Sequence, residues 1–442
     1  MNLIDDLELN IDNYEIISNF NDNLRLKDFN FEKIFEKNYI NGILWGCVFG
    51  DSLGLDLEFE ERVFDIPIVT KYRGSMKGWW TDDSSMLFAT IIALKAMEQS
   101  YFNFYKQEWI SIESNKFILY KTIMNFYSLF TEKALFTPKD YVYDCGLTLA
   151  TSLQDYKEVQ KIENGLENHF KDTKDKYELY SAGNGTIMKQ GAITTYLYEK
   201  YQRDFDSIVK EISDEDKSRI STFIKALFDS KYFINILDTM NEISHVISSS
   251  THKNLTASYS CYIMNIILTT NLILNNNLIG DLNKVKNMKQ AIFLETMIYI
   301  KKYIEEKINE DIDLGRLDKD KPVISEINRI INLNSKTNIN EMGEEKYLCP
   351  DWVLFDYKEI YNTGYSVESL ISALHSYYHS NNALEAIVRA ANLYGDADTI
   401  AAITGQIAGS FYGIKEFYEN DNDLINDLFQ KNYIQNILDF EL

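Results

Sequence analysis

Proline and cysteine are both scarce in this chain. Only four prolines occur among its 442 residues, and because proline breaks the interior of helices, their scarcity favours long helices. None of the four cysteines shows C-x-x-C spacing or a nearby histidine partner. We therefore predict reduced thiols in a cytoplasmic protein rather than a disulfide framework. The four are Cys47, Cys145, Cys261 and Cys349.

Signals for secretion or membrane insertion are equally scarce. The first residues, Met-Asn-Leu-Ile-Asp-Asp, lack the basic region and the apolar core of a signal peptide. The most apolar stretch, residues 262–278, contains several asparagines and threonines. It is typical of a buried helix rather than a membrane span, and we expect no membrane partner.

Basic residues are outnumbered by acidic ones, 44 against 67, which gives a net charge of −23. This charge disfavours non-specific binding to nucleic acid or to an anionic membrane. It is compatible with a phosphorylated substrate, because bound cations change the local field. Hydrophobic residues make up 45% of the chain, enough for a large core.

Two short acidic segments each precede an apolar helical run. Asp396 and Asp398 stand two positions apart, and Thr81 is followed directly by two further aspartates. Either segment alone is also typical of helix capping, with Asp398 or Thr399 as the N-cap. Together they offer four carboxylates and two hydroxyls, a set of oxygen ligands that suits Mg²⁺, Mn²⁺ or Ca²⁺ and disfavours zinc.

Four carboxylates in one pocket repel each other strongly unless cations neutralise them. Their charge is enough for two divalent ions, and ions about 3.5–4 Å apart are a recognised catalytic arrangement. The candidate metal ligands are Thr81, Asp82, Asp83, Asp396, Asp398 and Thr399.

Small residues repeat every four positions in two predicted helices. Each glycine inside a helix costs about 1 kcal/mol relative to alanine, so such a stripe needs a structural reason. We predict that the two helices pack against each other along these faces; the alternative is that each stripe meets a different bulky neighbour. The stripes are Gly42, Gly46, Gly50 and Gly54, and Ala397, Ala401, Gly405, Gly409 and Gly413.

A third motif, here called the glycine loop, consists of Gly183, Asn184, Gly185 and Thr186. We predict that a helix begins at Thr186, so that the backbone N–H groups of the loop can bind a phosphate or diphosphate. An ordinary Gly-Asn-Gly turn is the alternative interpretation.

These motifs, taken in order, resemble the ADP-ribosylglycohydrolase family. The matching blocks are residues 46–54, 81–84, 183–189 and 395–399, within a span from about 41 to 413. The resemblance implies an all-α fold, in a single compact multi-helix domain with helical insertions. It also implies a centre of two Mg²⁺ ions, with Mn²⁺ as an alternative, and hydrolysis of the glycosidic bond between ADP-ribose and an acceptor.

The resemblance further implies roles for individual residues. The six candidate ligands would hold the ions against the ribose joined to the acceptor. Glu58 or Asp83 would transfer the proton, and the glycine loop would bind the diphosphate. His252 would lie near ADP-ribose, although a histidine at a helix start is also typical of a structural hydrogen bond. We expect Asp51 to hold the neighbouring turn through hydrogen bonds.

The chain departs from the family pattern at two positions. Cys145 interrupts the usual Asp-Ile-Gly element, and Lys189 stands where many relatives carry arginine. Phosphate binding through the backbone survives both changes, whereas a bidentate arginine role does not. Two other functions therefore stay open: a catalytically weak ADP-ribose-binding or regulatory module, and a related di-metal hydrolase acting on another nucleotide or phosphoester.

We expect the following organisation. Residues 1–38 form an N-terminal extension, and residues 39–442 form the ADP-ribosylglycohydrolase-like domain. Polar and charged segments at about 155–179 and 281–360 are predicted insertions. The expected partner is an ADP-ribosylated acceptor, most simply a protein, whose modified residue the sequence does not identify.

Overall fold

The computed structural model describes most of the chain. The predicted extension and both predicted insertions lie partly outside the described residues, so this division of the chain stays a prediction. The described residues are 24–25, 28–62, 68–100, 113–173, 181–217, 219–277, 288–318, 322–338, 346–417 and 424–440.

The described part of the chain is mainly helical, with one small two-stranded sheet, which confirms the predicted all-α class. Its α-helices are α1 (Phe31–Ile34), α2 (Asn38–Gly54), α3 (Asp82–Ser100), α4 (Glu113–Lys133), α5 (Leu147–Gln160), α6 (Gly165–Thr173), α7 (Gln190–Lys200), α8 (Gln202–Glu211), α9 (Asp214–Lys217), α10 (Ile220–Asp229), α11 (Lys231–Ser249), α12 (Leu255–Asn277), α13 (Lys289–Asp313), α14 (Pro322–Ile331), α15 (Ser366–Tyr378), α16 (Ala383–Ala391), α17 (Ala397–Tyr412), α18 (Leu424–Asp427) and α19 (Lys431–Leu438).

Short 3₁₀ turns and one small sheet join these helices. Strands β1 (Ser335–Asn338) and β2 (Lys346–Cys349) pair antiparallel, with Ser335 opposite Cys349. Both strands lie in the region predicted as the second insertion. The 3₁₀ turns are Leu55–Leu57, Asn184–Thr186, Asp351–Leu354, Tyr357–Glu359 and Ile414–Phe417.

Helices α2 and α17 cross at backbone contact through their small residues. A Cβ added to Gly46 would collide with the carbonyl of Gly405, and one added to Gly50 would collide with the carbonyl of Ala401. The predicted pairing of the two stripes is therefore confirmed. The pairing is antiparallel, because Gly42 meets Gly409 at one end and Gly54 meets Asp398 at the other.

Helix α12, which contains most of the stretch predicted as a buried helix, lies inside the helical core. It is long and apolar enough to cross a membrane by length and composition, but 94% of its apolar window is buried within the protein. This agrees with the predicted buried helix. The four cysteines carry free thiols, and Cys47, Cys261 and Cys349 are buried.

Candidate active site

The candidate site lies where three helix ends meet. The antiparallel pairing brings the last turn of α2, with Asp51, beside the first turn of α17, with Asp398. Helix α3 begins at the same place with Asp82 and Asp83, where its dipole favours negative charge. Thr81 and Asp398, 317 positions apart in the chain, thereby come within 3.4 Å.

Carboxylate oxygens converge at this point in two overlapping groups. Asp51, Asp83 and Asp398 each place one ligand atom within 4.8 Å of the others. Glu58, Asp396 and Asp398 do the same. The structure therefore brings together three of the four predicted carboxylate ligands and adds Glu58 and Asp51 to them.

The two predicted hydroxyl ligands point into the same cluster. Thr81 Oγ1 lies 3.3 Å from Oδ2 of Asp83, and Thr399 Oγ1 lies 3.2 Å from the same atom. Asp82 belongs to neither carboxylate group. Its charge nevertheless repels those of Asp83 and Asp398 and contributes to their raised pKa values.

Asp51 holds the start of α3 through hydrogen bonds, as predicted. Its carboxylate accepts the N–H of Thr81 at 2.9 Å, the N–H of Ser84 at 3.0 Å and the hydroxyl of Ser84 at 2.6 Å. Burial raises the pKa of Asp51 to about 6, and the hydrogen bonds from Ser84 and Thr81 oppose that shift. This contact fixes α3 against α2 at the edge of the carboxylate cluster.

The alternative interpretation of Asp398 and Thr399 as N-caps does not hold. The residue at the N-cap of α17 is Asp396, and its side chain makes no capping hydrogen bond. Asp398 and Thr399 lie inside the first turn, where Asp398 is buried in the cluster. Asp398 Oδ1 accepts the N–H of Thr399 at 2.8 Å, while Asp398 Oδ2 and the Thr399 hydroxyl face the cluster.

The site has a strong excess of negative charge. Burial, followed by repulsion from neighbouring carboxylates, raises the pKa values of Asp83 and Asp398 well above normal. The same causes raise the pKa of Asp82 to about 7 and that of Glu58 to about 8. Among the described residues, no lysine or arginine forms an ion pair with any of these four.

This donor set fits divalent cations. Asp83 Oδ1 is buried and has no hydrogen-bond partner among the described residues, and such an atom is costly unless something binds it. All the converging atoms are oxygens, which are the ligands of Mg²⁺ and Mn²⁺ rather than zinc. A cation would satisfy the orphaned oxygen and relieve the repulsion together.

The glycine loop differs from its prediction in one respect. The α-helix begins at Gln190 rather than at Thr186, and the loop itself forms a single 3₁₀ turn. The Gln190 side chain donates to the carbonyl of Thr186 at 2.8 Å, which keeps that carbonyl out of a regular helix. Within the described ranges the N–H groups of Gly185 and Thr186 have no acceptor, so the loop still presents two donors.

His252 packs directly against the glycine loop. Its ring would touch a Cβ added to Gly183 at 3.3 Å or to Gly185 at 3.2 Å, so the two glycines leave room for it. Thr251 Oγ1 lies 2.8 Å from Nδ1 of His252 and orients the ring. Burial, assisted by nearby Lys189, lowers the pKa of His252 to about 3, so the imidazole is neutral.

Two features of the site were not predicted from the sequence. The Asn184 amide donates to Oδ2 of Asp396 at 2.6 Å, which links the glycine loop to a predicted metal ligand. Asp144 lies close enough to contribute to the raised pKa values of Glu58 and Asp82. One indication of this role was present in the sequence: Asp144 directly precedes Cys145, at the position of the aspartate in the family's Asp-Ile-Gly element.

Most of the chain is similar to a known protein family. Residues 33–439 match the family model described as ADP-ribosylglycohydrolase. A curated relative from Pseudomonas putida (strain GB-1), "ADP-ribosylarginine hydrolase Tri1", is 48% identical over 83 residues, which are 19% of this chain and 20% of that protein. A protein of the same name from Serratia proteamaculans (strain 568) is 47% identical over 55 residues, 12% of this chain and 15% of that protein.

The matched segments thus span a fifth or less of these two relatives. Among solved structures, one titled "ADP-ribosylglycohydrolase-related protein complex" superimposes with a TM-score of 0.49 and 16% sequence identity. The superposition covers 91% of this chain and 96% of that one.

Proposed function

Because the chain belongs to the ADP-ribosylglycohydrolase family, we propose that it hydrolyses the glycosidic bond between ADP-ribose and an acceptor. The observation that supports this best is the carboxylate cluster at the ends of α2, α3 and α17. It combines an orphaned buried oxygen on Asp83 with mutually repelling carboxyl groups that form no ion pair with a described lysine or arginine. A purely structural cluster would pair these groups with basic side chains.

We propose that two divalent cations, Mg²⁺ or Mn²⁺, bind at this cluster. When bound, they would supply charge stabilisation at the reacting ribose and a fixed orientation for its hydroxyls. The residues that would hold them are Thr81, Asp82, Asp83, Asp396, Asp398 and Thr399.

Glu58 is our candidate for proton transfer during hydrolysis. It is half-buried, whereas Asp83 is fully buried and lies close to the hydroxyls of Thr81 and Thr399. A group that moves a proton between water and substrate must reach both, which favours Glu58.

The glycine loop is our candidate for holding the diphosphate. The free N–H groups of Gly185 and Thr186 are backbone donors that need no charged side chain, which suits a chain with lysine rather than arginine at position 189. His252 supports the loop from beneath, and Asn184 connects it to Asp396. The phosphate and ribose ends of one ligand would therefore be held in a fixed relation.

For the acceptor we propose arginine. The two curated relatives are named ADP-ribosylarginine hydrolases, and a guanidinium leaving group suits the negative field of this site. The cytoplasmic location stays a prediction from the cysteine content.

The direct test is release of ADP-ribose from ADP-ribosylarginine, with Mg²⁺ or with a chelator. We expect turnover only with the metal, and a loss of at least about 100-fold in kcat/KM for Asp83→Ala. Calorimetry with ADP-ribose runs alongside. Binding without turnover in the wild-type protein would support the regulatory alternative, and full activity of Asp83→Ala in chelator would end the metal mechanism.

A further inference from the structure

A concavity is formed by the region predicted as the second insertion and by the residues that follow it, into helix α15. Its volume is about 200 Å³. Four apolar side chains and two glutamates form much of its wall: Phe355, Ile360, Tyr361, Ile371, Glu359 and Glu368. We call this concavity the acceptor groove.

The groove exposes aromatic surface that the described part of the chain leaves uncovered. The side chain of Tyr361 is 79% exposed and that of Phe355 is 43% exposed. Exposed apolar surface with a polar rim is typical of a binding site for another molecule.

The charged residues that line the groove, here called its rim, are mostly acidic. Asp351, Glu359 and Glu368 line it together with a single basic residue, Arg329. The guanidinium of Arg329 is already paired with Glu326 at 2.7 Å and Glu368 at 3.4 Å. The rim therefore complements a basic partner and disfavours an acidic one.

The wall of the groove is held in place by hydrogen bonds from buried groups. His375 Nε2 lies 3.1 Å from the carbonyl oxygen of Phe355, and His379 Nε2 lies 3.0 Å from that of Val353. The indole of Trp352 donates to the carbonyl of Ile330 at 3.1 Å. A preformed groove loses little conformational freedom when it binds a ligand.

The groove is joined to the reaction centre by a short segment. Tyr361 is three residues before Gly364, and a Cβ added to Gly364 would lie 3.4 Å from Oδ2 of Asp396. Three residues span at most about 11 Å. An extended peptide advances by about 3.3 Å per residue, so it can reach from the centre into the groove within about three residues.

We propose that the acceptor groove binds the polypeptide that carries the ADP-ribosylated residue. It would take an apolar side chain, flanked by a basic one, about three residues from the modified arginine. This inference rests on the proposed function and extends it from the modified residue to its sequence context. The region predicted as an insertion would then select among acceptors.

The test compares three substrates: free ADP-ribosylarginine, a peptide with ADP-ribosylarginine and Leu-Lys pairs about three residues away on both sides, and a matched peptide with Ser-Glu pairs. We expect kcat/KM about tenfold higher for the Leu-Lys peptide, the effect of partly burying one leucine. Phe355→Ala and Tyr361→Ala should abolish this preference and leave turnover of free ADP-ribosylarginine unchanged. Leu354→Ala is the matched control, because Leu354 is 53% exposed beside the groove but does not line it.

Binding constants of both peptides, measured in chelator, separate the two proposals. Absence of turnover on all three substrates counts against the proposed function. The ratio of the dissociation constants of the two peptides still tests whether the groove binds the polypeptide. Equal constants for the two peptides, or a preference retained in both groove variants, overturn the groove proposal.

Discussion

The carboxylates at the ends of α2, α3 and α17 contrast with a second acidic cluster between α11, α12 and α13. In the second cluster, basic side chains neutralise the acids. Lys307 lies 3.0 Å from Asp238 and 2.9 Å from Glu310, and Arg316 lies 3.2 Å from Asp311. In the first cluster, none of the described lysines or arginines makes such a pair.

The pKa values follow this difference. For Glu242, near the second cluster, burial raises the pKa, but the nearby charge and hydrogen bond of Lys116 outweigh it and the net shift is downward. For Asp83, in the first cluster, burial and four neighbouring carboxylates all raise the pKa. Paired acids are neutralised within the protein, whereas unpaired buried acids take up a proton or a cation from solution.

The two clusters are also positioned by different means. Side-chain ion pairs hold the second, but the close approach of two glycine-striped backbones holds the first. Substitutions can therefore disturb one cluster and spare the other.

The largest expected effect is on catalysis at the first cluster. Asp398→Asn should lower kcat/KM at least about 100-fold, because the variant weakens charge stabilisation at the ribose. In chelator its melting temperature should equal or exceed that of the wild type, since one of several repelling buried carboxylates is gone. Near-normal turnover would contradict the proposed catalytic role of the first cluster, and a strongly lowered melting temperature would show that the first cluster stabilises the fold as the second does.

The second-largest expected effect is a loss of stability, and it tests whether the close crossing of α2 and α17 positions the first cluster. In Gly50→Ala the new Cβ would collide with the backbone of Ala401, so we expect a loss of about 3 kcal/mol or more in the free energy of unfolding. Urea denaturation measures it. Gly146→Ala is the control, because a Cβ there meets nothing within 4 Å. Equal effects of the two substitutions would show that the helix crossing tolerates a side chain.

In the metal-free protein, we expect the free energy of unfolding to fall gradually as the pH rises. The folded-state pKa values of Asp51, Asp82 and Glu58 are raised to about 6, about 7 and about 8, from ordinary values of 3.8, 3.8 and 4.5. The folded state thus binds more protons, and this contribution to stability is lost as pH rises from about 4 to about 8. Urea denaturation in chelator at pH 5 and pH 8 measures it, and Mg²⁺ should reduce the loss. If the wild type and Asp398→Asn lose the same free energy of unfolding between pH 5 and pH 8, the pH dependence does not arise from the carboxylate cluster.

The smallest expected effect is at the second cluster. Asp311 accepts the hydroxyl of Tyr259 at 2.5 Å and pairs with the partly exposed Arg316. Asp311→Asn should therefore lower the free energy of unfolding by only about 1 kcal/mol and leave kcat unchanged. Thermal denaturation and the ADP-ribose release assay measure the two quantities. A loss of turnover comparable to that of Asp398→Asn would remove the distinction between the clusters.

Much of the site followed from residue types in local motifs. The pairing of the two glycine stripes was predicted from helical periodicity, a local property of the chain, and the all-α class was implied by the family resemblance; both are confirmed. The oxygen-only ligand set was predicted from ligand chemistry, which is local too, and it stays a prediction. The glycine loop was found in the same way, although its α-helix begins four residues later than predicted, at Gln190.

Only the tertiary structure decided how these motifs meet. The bond from Asn184 to Asp396, the nearness of Asp144 and the acceptor groove depend on contacts between distant segments. The absence of an ion pair between Asp83 or Asp398 and any described lysine or arginine depends on them too. A sequence lists its charges, but which of them remain unpaired depends on how the helices pack. Here the antiparallel crossing of α2 and α17 set that result, by leaving the carboxylates facing one another.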